Sequence, residues 1–485
     1  MEMPKQCEEY NFLLSCTIRQ LHQLYQSREL SPVEVTAYLL RAAEASQPHI
    51  NSFIRFTPER ALAEARRAEA IFMSKAPATL LTGMPYNVKD LINVAHTPTT
   101  LACEAYYDNI ASEDSAVVER LTAAGAVLMG KTNTSQLAMG PTNEVSSFGP
   151  VRNPRNPRHI AGGSSGGSGA SVAAGVSTFS IGTDQGGSIR IPSACSGVVG
   201  IKPTHGRISY YGTASASHLC DHLGPLTRTV DDNAAVLSCA GGYDPRHKYS
   251  LNRPAEDFSR LIGTPLRGMS VLVPLDFCLA DTDPLIAKEF LSVLEILRTE
   301  GVRIKEAALP DLSDYWTAHQ IIFMAGNQYN NRQVIDNHPD ALDPETYKRL
   351  KAGHVSAEEY YRSVELKDKF EQLFSELMEG CDFMLTPTIP VFPCALGQDH
   401  IELNGRNHAI HPMYSRYTWF CNYLGIPALS VPCGMNSDSL PCAVQIIGRW
   451  GDEALLYQIG AALEDQLGVL PPPDPANYIK KKKKG

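Results

Sequence analysis

The sequence predicts one large α/β domain, and three observations carry that reading. From Gly83 onward, short apolar runs of strand length alternate with segments of helical period. Those runs are apolar on both faces, which suits strands of a sheet covered by helices. The 485 residues, 43% hydrophobic and 20% charged, hold no Ser/Gly/Pro linker tract and no internal repeat that would divide them. The same values exclude a long disordered chain.

Taken in order, the N-terminal part is helical. Ser31-Pro32-Val33-Glu34 combines a capping box with proline at the first helical position, and Val33, Val35, Leu39 and Leu40 follow at helical spacing. A second helix covers 58–70. Strands are expected at 126–129, 178–181, 197–201, 270–273, 382–385, 428–431 and 444–447, with a helix over 114–124 ahead of the first. Long helices are expected at 283–300 and 356–378, with an amide-rich stretch, 314–338, between them. The chain thus reads as a helical segment over 1–75 packed on an α/β body over 76–475. A Lys-rich tail over 476–485 follows Pro471-Pro-Pro-Asp-Pro and is expected to be disordered and solvated.

A net charge of -9 gives no bulk attraction to nucleic acid. The twelve cysteines include no C-x-x-C pair and many sit in apolar runs, so they read as buried free thiols of a reducing compartment. The first thirty residues carry acidic groups where a secretory leader needs a basic region, and no run is long enough to span a membrane. The expectation is a cytoplasmic protein with no membrane and no nucleic-acid partner.

The chemistry concentrates in two glycine-serine elements. Gly162-Gly-Ser-Ser-Gly-Gly-Ser-Gly169 carries five glycines in eight residues and runs into an alanine-rich helix, so its backbone can approach a substrate at a positive helix end. Gly182-Thr-Asp-Gln-Gly-Gly-Ser-Ile-Arg-Ile-Pro192 follows an apolar strand, a place to expose a hydroxyl beside free N–H groups. No histidine lies near either loop except His159 and His205. A lysine can act as base in its place only when neutral, and at the ordinary pKa of about 10.4 roughly 0.04% is neutral at pH 7. Burial corrects this. Lys89 has the apolar context, and Lys131 and Lys202 are comparable on these grounds.

Lys89-Asp-Leu, Gly125-Ala-Val-Leu-Met-Gly-Lys-Thr-Asn133, the two glycine-serine elements, Gly197-Val-Val-Gly-Ile-Lys-Pro-Thr204, Asp221-His-Leu-Gly-Pro-Leu-Thr-Arg228 and Gly425-Ile-Pro-Ala-Leu-Ser-Val-Pro432 together resemble the amidase signature family. The resemblance covers nearly the whole chain after the first helices. It implies a mixed central sheet between helical layers and hydrolysis of amide bonds through a Ser-Ser-Lys triad. Lys89 would be the base, Ser164, preceded by a cis peptide, the proton bridge, and Ser188 the nucleophile. Gln185, Gly186, Gly187 and Ser188 would offer oxyanion-binding N–H groups, with Ser165 and Arg190 in support. No cofactor or metal is implied. The partner is a small-molecule amide or carbamate, with a homodimer allowed.

On substrate, members of the family include free-standing amidases, carbamate-cleaving enzymes and the glutamine-hydrolysing component of a tRNA-dependent amidotransferase. In that last group an acidic residue helps hold the glutamine amino group; the corresponding segment, Tyr414-Ser-Arg-Tyr-Thr-Trp-Phe-Cys-Asn422-Tyr-Leu-Gly425, offers none. A pocket lined by Met139, Tyr414, Tyr417, Trp419 and Phe323 is expected instead, favouring aryl or medium-chain amides, or carbamates.

Other readings compete. Gly125 to Thr132 satisfies the Walker A pattern, but Val-Leu-Met there reads as a buried strand. G-x-S-x-G occurs on Ser164 and Ser165, as in an α/β-hydrolase elbow, with His411 as an available partner. His218 and His222 could suggest a metal site without a third placed ligand. A scaffold protein with a dead site is the non-enzymatic alternative.

Overall fold

In the computed structural model, which describes residues 11–475, the chain forms a single α/β body around an eleven-stranded mixed sheet. The Lys480-to-Lys484 tail and Cys7 lie outside the described residues. The strands are β1 (Phe53–Phe56), β2 (Pro85–Lys89), β3 (Val127–Thr132), β4 (Phe179–Asp184), β5 (Val199–Lys202), β6 (His222–Thr227), β7 (Ser270–Val273), β8 (Arg303–Glu306) and β9 (Phe383–Pro387). After a small hairpin, β10 (His400–Leu403) and β11 (Arg406–Ala409), come β12 (Ala428–Met435) and β13 (Pro441–Ile447). The large sheet runs β1-β3-β2-β4-β6-β5-β12-β13-β9-β7-β8.

All seven expected strands form. Those not foreseen have local reasons. The β6 sequence His-Leu-Gly-Pro-Leu-Thr reads as a turn, yet it is buried and pairs antiparallel with β4 and β5. At the sheet edge, β8 is a largely exposed Arg-Ile-Lys-Glu with little apolar signal.

The expected helices are present at Pro32–Ile50, Pro58–Ser74, Ala116–Ala123, Pro284–Thr299 and Ala357–Leu377. Ser31 and Glu34 make the reciprocal capping bonds. The amide-rich stretch becomes Ser313–Asn330 and Arg332–Asn337. The N-terminal segment is part of the body: β1 pairs antiparallel with β3, and Leu13, Ile18, Leu21 and Tyr25 join the same apolar core as Val127 and Phe179.

Three features place the site. Parallel neighbours β2 and β4 end on one side of the sheet, bringing Lys89, Thr183 and Asp184 together at their carboxyl ends. The buried helix Gly166–Ala173 packs tightly beside them; a Cβ on Gly167 would sit 2.4 Å from Ser52 O and 2.6 Å from Asn133 N, so only glycine fits. Finally, the register of β2 against β3 slips between Tyr86 and Asn87: Tyr86 faces Leu128, Asn87 faces Gly130, and Lys89 faces Thr132. Met129 is therefore an extra residue on β3.

All eleven cysteines of the described region are free. No helix of that region is long and apolar enough to cross a membrane.

Candidate active site

The three candidate lysines separate once their surroundings are known. Lys89 is fully buried; its Nζ donates to Ser164 Oγ at 2.6 Å and to Thr183 Oγ1 at 2.8 Å. It makes no ion pair among the described residues, and burial pushes its pKa well below the ordinary lysine value against the weaker pull of Asp184 and Asp221. Lys131 is also buried, but its Nζ pairs with Asp90 Oδ1 at 2.7 Å and donates to Thr99 Oγ1 and Pro98 O. That pairing shows why the neighbouring Asp90 does not neutralise Lys89: successive strand-end residues point to opposite faces. Lys202, lowered to about 7 by burial and by Arg190, donates to Pro203 O at 2.9 Å and meets neither serine. The Walker A pattern falls with this geometry, because its lysine sits in a fully buried strand.

The two glycine-serine elements are joined through their backbones. Ser165 N donates to Ser188 O at 3.2 Å, and Ser165 Oγ donates to Thr183 O at 3.1 Å. The Gly163–Ser164 peptide is cis. Ser164 is fully buried against Lys89, whereas Ser188 borders the main cavity. No direct hydrogen bond joins the two hydroxyls among the described residues. Ser165 is likewise fully buried, and neither it nor Ser164 borders that cavity.

Arg190 and Asp184 form a buried hub beneath the turn between them. Arg190 Nη2 and Nε lie 3.0 and 3.1 Å from the Asp184 carboxylate. The same guanidinium donates to Thr418 O, Gln445 Oε1 and Asn422 Oδ1 at 2.6–2.9 Å. Asp184 accepts in addition from Gly187 N at 2.7 Å, Ile189 N at 3.0 Å and Asn422 Nδ2 at 2.9 Å. Against the opposing effect of burial, Arg190 and these donors hold its carboxyl well below the usual range. One expectation changes here: the Gly187 N–H is occupied by Asp184 and is not offered to the cavity. Gly187, at φ +133°, shapes the turn, and a Cβ there would meet Thr418 Oγ1 at 2.3 Å. The N–H groups of Gln185, Gly186 and Ser188 find no acceptor among the described residues.

The cavity in front of Ser188 has a volume of about 900 Å³. Phe323 lines it as expected, but Met139, Tyr414, Tyr417 and Trp419 do not. Met139 packs with Leu137, Val334 and Leu350. Tyr414 and Tyr417 spend their hydroxyls on internal partners, Phe392 O and Cys394 N for the first, Thr282 and Cys278 O for the second. Trp419 stacks on Phe370 in a separate apolar cluster. These aromatics read as pocket residues because they are apolar and close in sequence to Asn422; the core claims them first. The observed walls combine Ile191, Trp316 and Phe323 with Arg349, Glu345 and Glu144.

Thr183, Asp184, Asn422 and Gln445 escape sequence reading. Thr183 and Asp184 stand inside the second glycine-serine motif, and an acid six residues before an arginine is a usable signal. Asn422 and Gln445 come from distant strands and helices and leave none. Of the histidines, His319 reaches the cavity, but its Nε2 is bound to Gln185 O and its Nδ1 to Gln320, so it is not paired with a serine. His411 borders the cavity beside Arg349. His218 and His222 have separate partners, Ser215 and Cys220 O.

Comparison with known proteins agrees with this architecture. The Amidase family model matches residues 34–457. A glutamyl-tRNA(Gln) amidotransferase subunit from Anaeromyxobacter dehalogenans (strain 2CP-C) is 34% identical over 476 residues, covering 93% of this chain and 96% of that one. Among solved structures, a 6-aminohexanoate cyclic dimer hydrolase complexed with substrate superposes with a TM-score of 0.85 at 28% identity, covering 95% of this chain and 99% of the other. The glutamyl-tRNA(Gln) amidotransferase subunit from Thermotoga maritima gives 0.79 at 28% identity, covering 95% and 98%. With the signature loops, the mixed sheet and the family match all in agreement, this chain belongs to the amidase signature family.

Proposed function

We propose that this amidohydrolase cleaves a small-molecule amide through an acyl-enzyme on Ser188, with Lys89 as base and Ser164 as proton bridge. The observation that carries the reading is a fully buried lysine without an ion-pair partner, donating at 2.6 Å to a buried serine whose loop is bonded to Ser188. Ser188 Oγ attacks the amide carbonyl carbon and its proton passes to Ser164 Oγ, which releases its own to Lys89 Nζ. The new oxyanion is received by the N–H groups of Gln185, Gly186 and Ser188, each worth about 2.7–4 kcal/mol. The C–N bond then breaks, and the departing amine takes the proton back along the same path. Water, deprotonated by the same bridge, attacks the ester and frees Ser188.

For the substrate, Ile191, Trp316 and Phe323 offer an apolar wall that suits an aryl or medium-chain group, of an amide or a carbamate. A second reading rests on Arg349, which lines the cavity and has no ion pair among the described residues. A guanidinium in no salt bridge, with only the longer-range attraction of Glu345, is open to a carboxylate brought by the substrate. Together with the likeness to glutamyl-tRNA(Gln) amidotransferase, this makes glutamine a candidate ammonia donor within a larger assembly.

Fluorophosphonate labelling of the purified chain tests the mechanism: label is expected on Ser188 and is lost in Ser188→Ala, while label retained on Ser164 would overturn the assignment. Turnover of glutamine, benzamide, a p-nitroanilide and an aryl carbamate separates the substrate readings. Glutamine cleavage appearing only with added partner proteins would reject the free-standing amidase and leave the triad standing.

A further inference from the structure

Resting on that reading of Ser188, one cavity-wall residue has a position that the proton relay does not use. His319, on helix Ser313–Asn330, is 2% exposed and sits among four aromatic rings: Phe323, nearly parallel to it at 8°, Trp316, Trp419 and Tyr423. Its Nε2 lies 3.2 Å from Gln185 O, and its Nδ1 lies 3.2 Å from Gln320 Nε2. A carbonyl oxygen can only accept and an amide nitrogen can only donate. The ring proton therefore belongs on Nε2, leaving Nδ1 as acceptor. Burial lowers the imidazole to about 4, with the nearby charges of Asp184 and Arg190 acting in opposite senses.

The peptide that His319 grips matters for its other end. In a planar trans peptide the C=O and N–H point in opposite directions, so fixing Gln185 O fixes the direction of Gly186 N–H. The following peptide is held in the same way, since Thr418 Oγ1 donates to Gly186 O at 2.6 Å while Gly187 N is bound by Asp184. Thr418 and Asp184 hold one peptide of the turn, and His319 holds the other.

We propose that His319 is a positioning residue that aims the Gly186 N–H at the developing oxyanion by donating its Nε2 proton to Gln185 O.

The test compares His319→Phe, which keeps an aromatic ring but loses the donor, with His319→Gln, whose amide nitrogen can occupy the Nε2 position. The probe is a fluorophosphonate, whose phosphoryl oxygen uses the same donors. His319→Phe is expected to lower kinact by roughly 10- to 100-fold with KI unchanged, and His319→Gln to recover most of the rate. A wild-type kinact in His319→Phe, or a loss that glutamine does not repair, overturns the proposal. If Ser188→Ala still labels, the nucleophile assignment fails instead, so the two failures are distinguishable. Should neither variant fold, ¹⁵N-histidine NMR of the wild-type chain decides the matter. An Nε2–H tautomer for His319 at neutral pH supports the proposal; an Nδ1–H tautomer or a charged ring refutes it.

Discussion

Replacing Asp184 with asparagine alters one functional group, yet it touches every part of the candidate site. The carboxylate accepts from two backbone N–H groups, from Asn422 and twice from Arg190, and both ionised partners are fully buried. Asp184→Asn leaves the Arg190 guanidinium without a counter-charge, a change that costs about 3–5 kcal/mol at buried pairs. At about 2.1 cal/mol/K per residue, a 485-residue chain unfolds with an entropy near 1 kcal/mol/K, so Tm should fall by about 3–5 °C. Because asparagine keeps only one acceptor oxygen, either Gly187 N or Ile189 N also loses its partner, the turn loosens, and fluorophosphonate labelling should slow on the order of 10²-fold, the cost of one misplaced oxyanion donor. Differential scanning fluorimetry and labelling kinetics read the two effects separately.

The double variant Asp184→Asn/Arg190→Met removes the orphaned charge and should regain part of the Tm without regaining the labelling rate. The sign with pH follows from the depressed folded-state pKa. The wild-type advantage is full above the unfolded carboxylate value of about 3.9 and is lost as pH falls below it. A Tm within about 1 °C of wild type together with unchanged labelling would refute the hub, since that shift corresponds to only about 1 kcal/mol.

Two further predictions distinguish the lysines. Lys89→Ala should remain folded and lose about 10²–10⁴ in turnover, the range of a general base. In the wild type, burial keeps Lys89 neutral far below the ordinary value of about 10.4, so kcat/KM should rise with pH and level off well short of that value; a profile still climbing at pH 10 would contradict it. Lys131→Met should do the opposite, leaving Asp90 uncompensated at a stability cost of about 3–5 kcal/mol while the labelling rate of Ser188 stays intact; slowed labelling with an unchanged Tm would assign Lys131 to catalysis.

The parts of this site that are legible in the sequence are those built from contiguous motifs. The glycine-serine elements declare themselves because close backbone packing excludes side chains, as Gly167 against Ser52 and Asn133 makes plain. Strands such as Ser270–Val273 and the capped helix after Ser31 follow from local pattern alone. The pocket is not legible. Aromatic character says that a residue will be buried, not whether it is buried in a core or at a cavity, and Tyr414, Tyr417 and Trp419 go to the core. Nor can the choice among Lys89, Lys131 and Lys202 be made from neighbours in sequence. It depends on where Asp90 points, which strand alternation decides only once the sheet is assembled.

The extra residue at Met129 governs that assembly. Counting on from Tyr86 opposite Leu128 without the bulge, so that Met129 faced Asn87, Lys89 would lie beside Lys131 on adjoining parallel strands, both ammonium groups crowding one side of the sheet while Asp90 faced away from either. With it, Lys131 moves alongside Val88 and meets Asp90, and Lys89 is left alone with two hydroxyls. An unbulged register that paired Met129 with Asn87 would thus set two lysines side by side without altering any residue of the candidate triad, whereas deleting Met129 itself would leave Val88 opposite Lys131 and Lys89 opposite Thr132. In this chain the surroundings of one amine are set by the register of the strand next door.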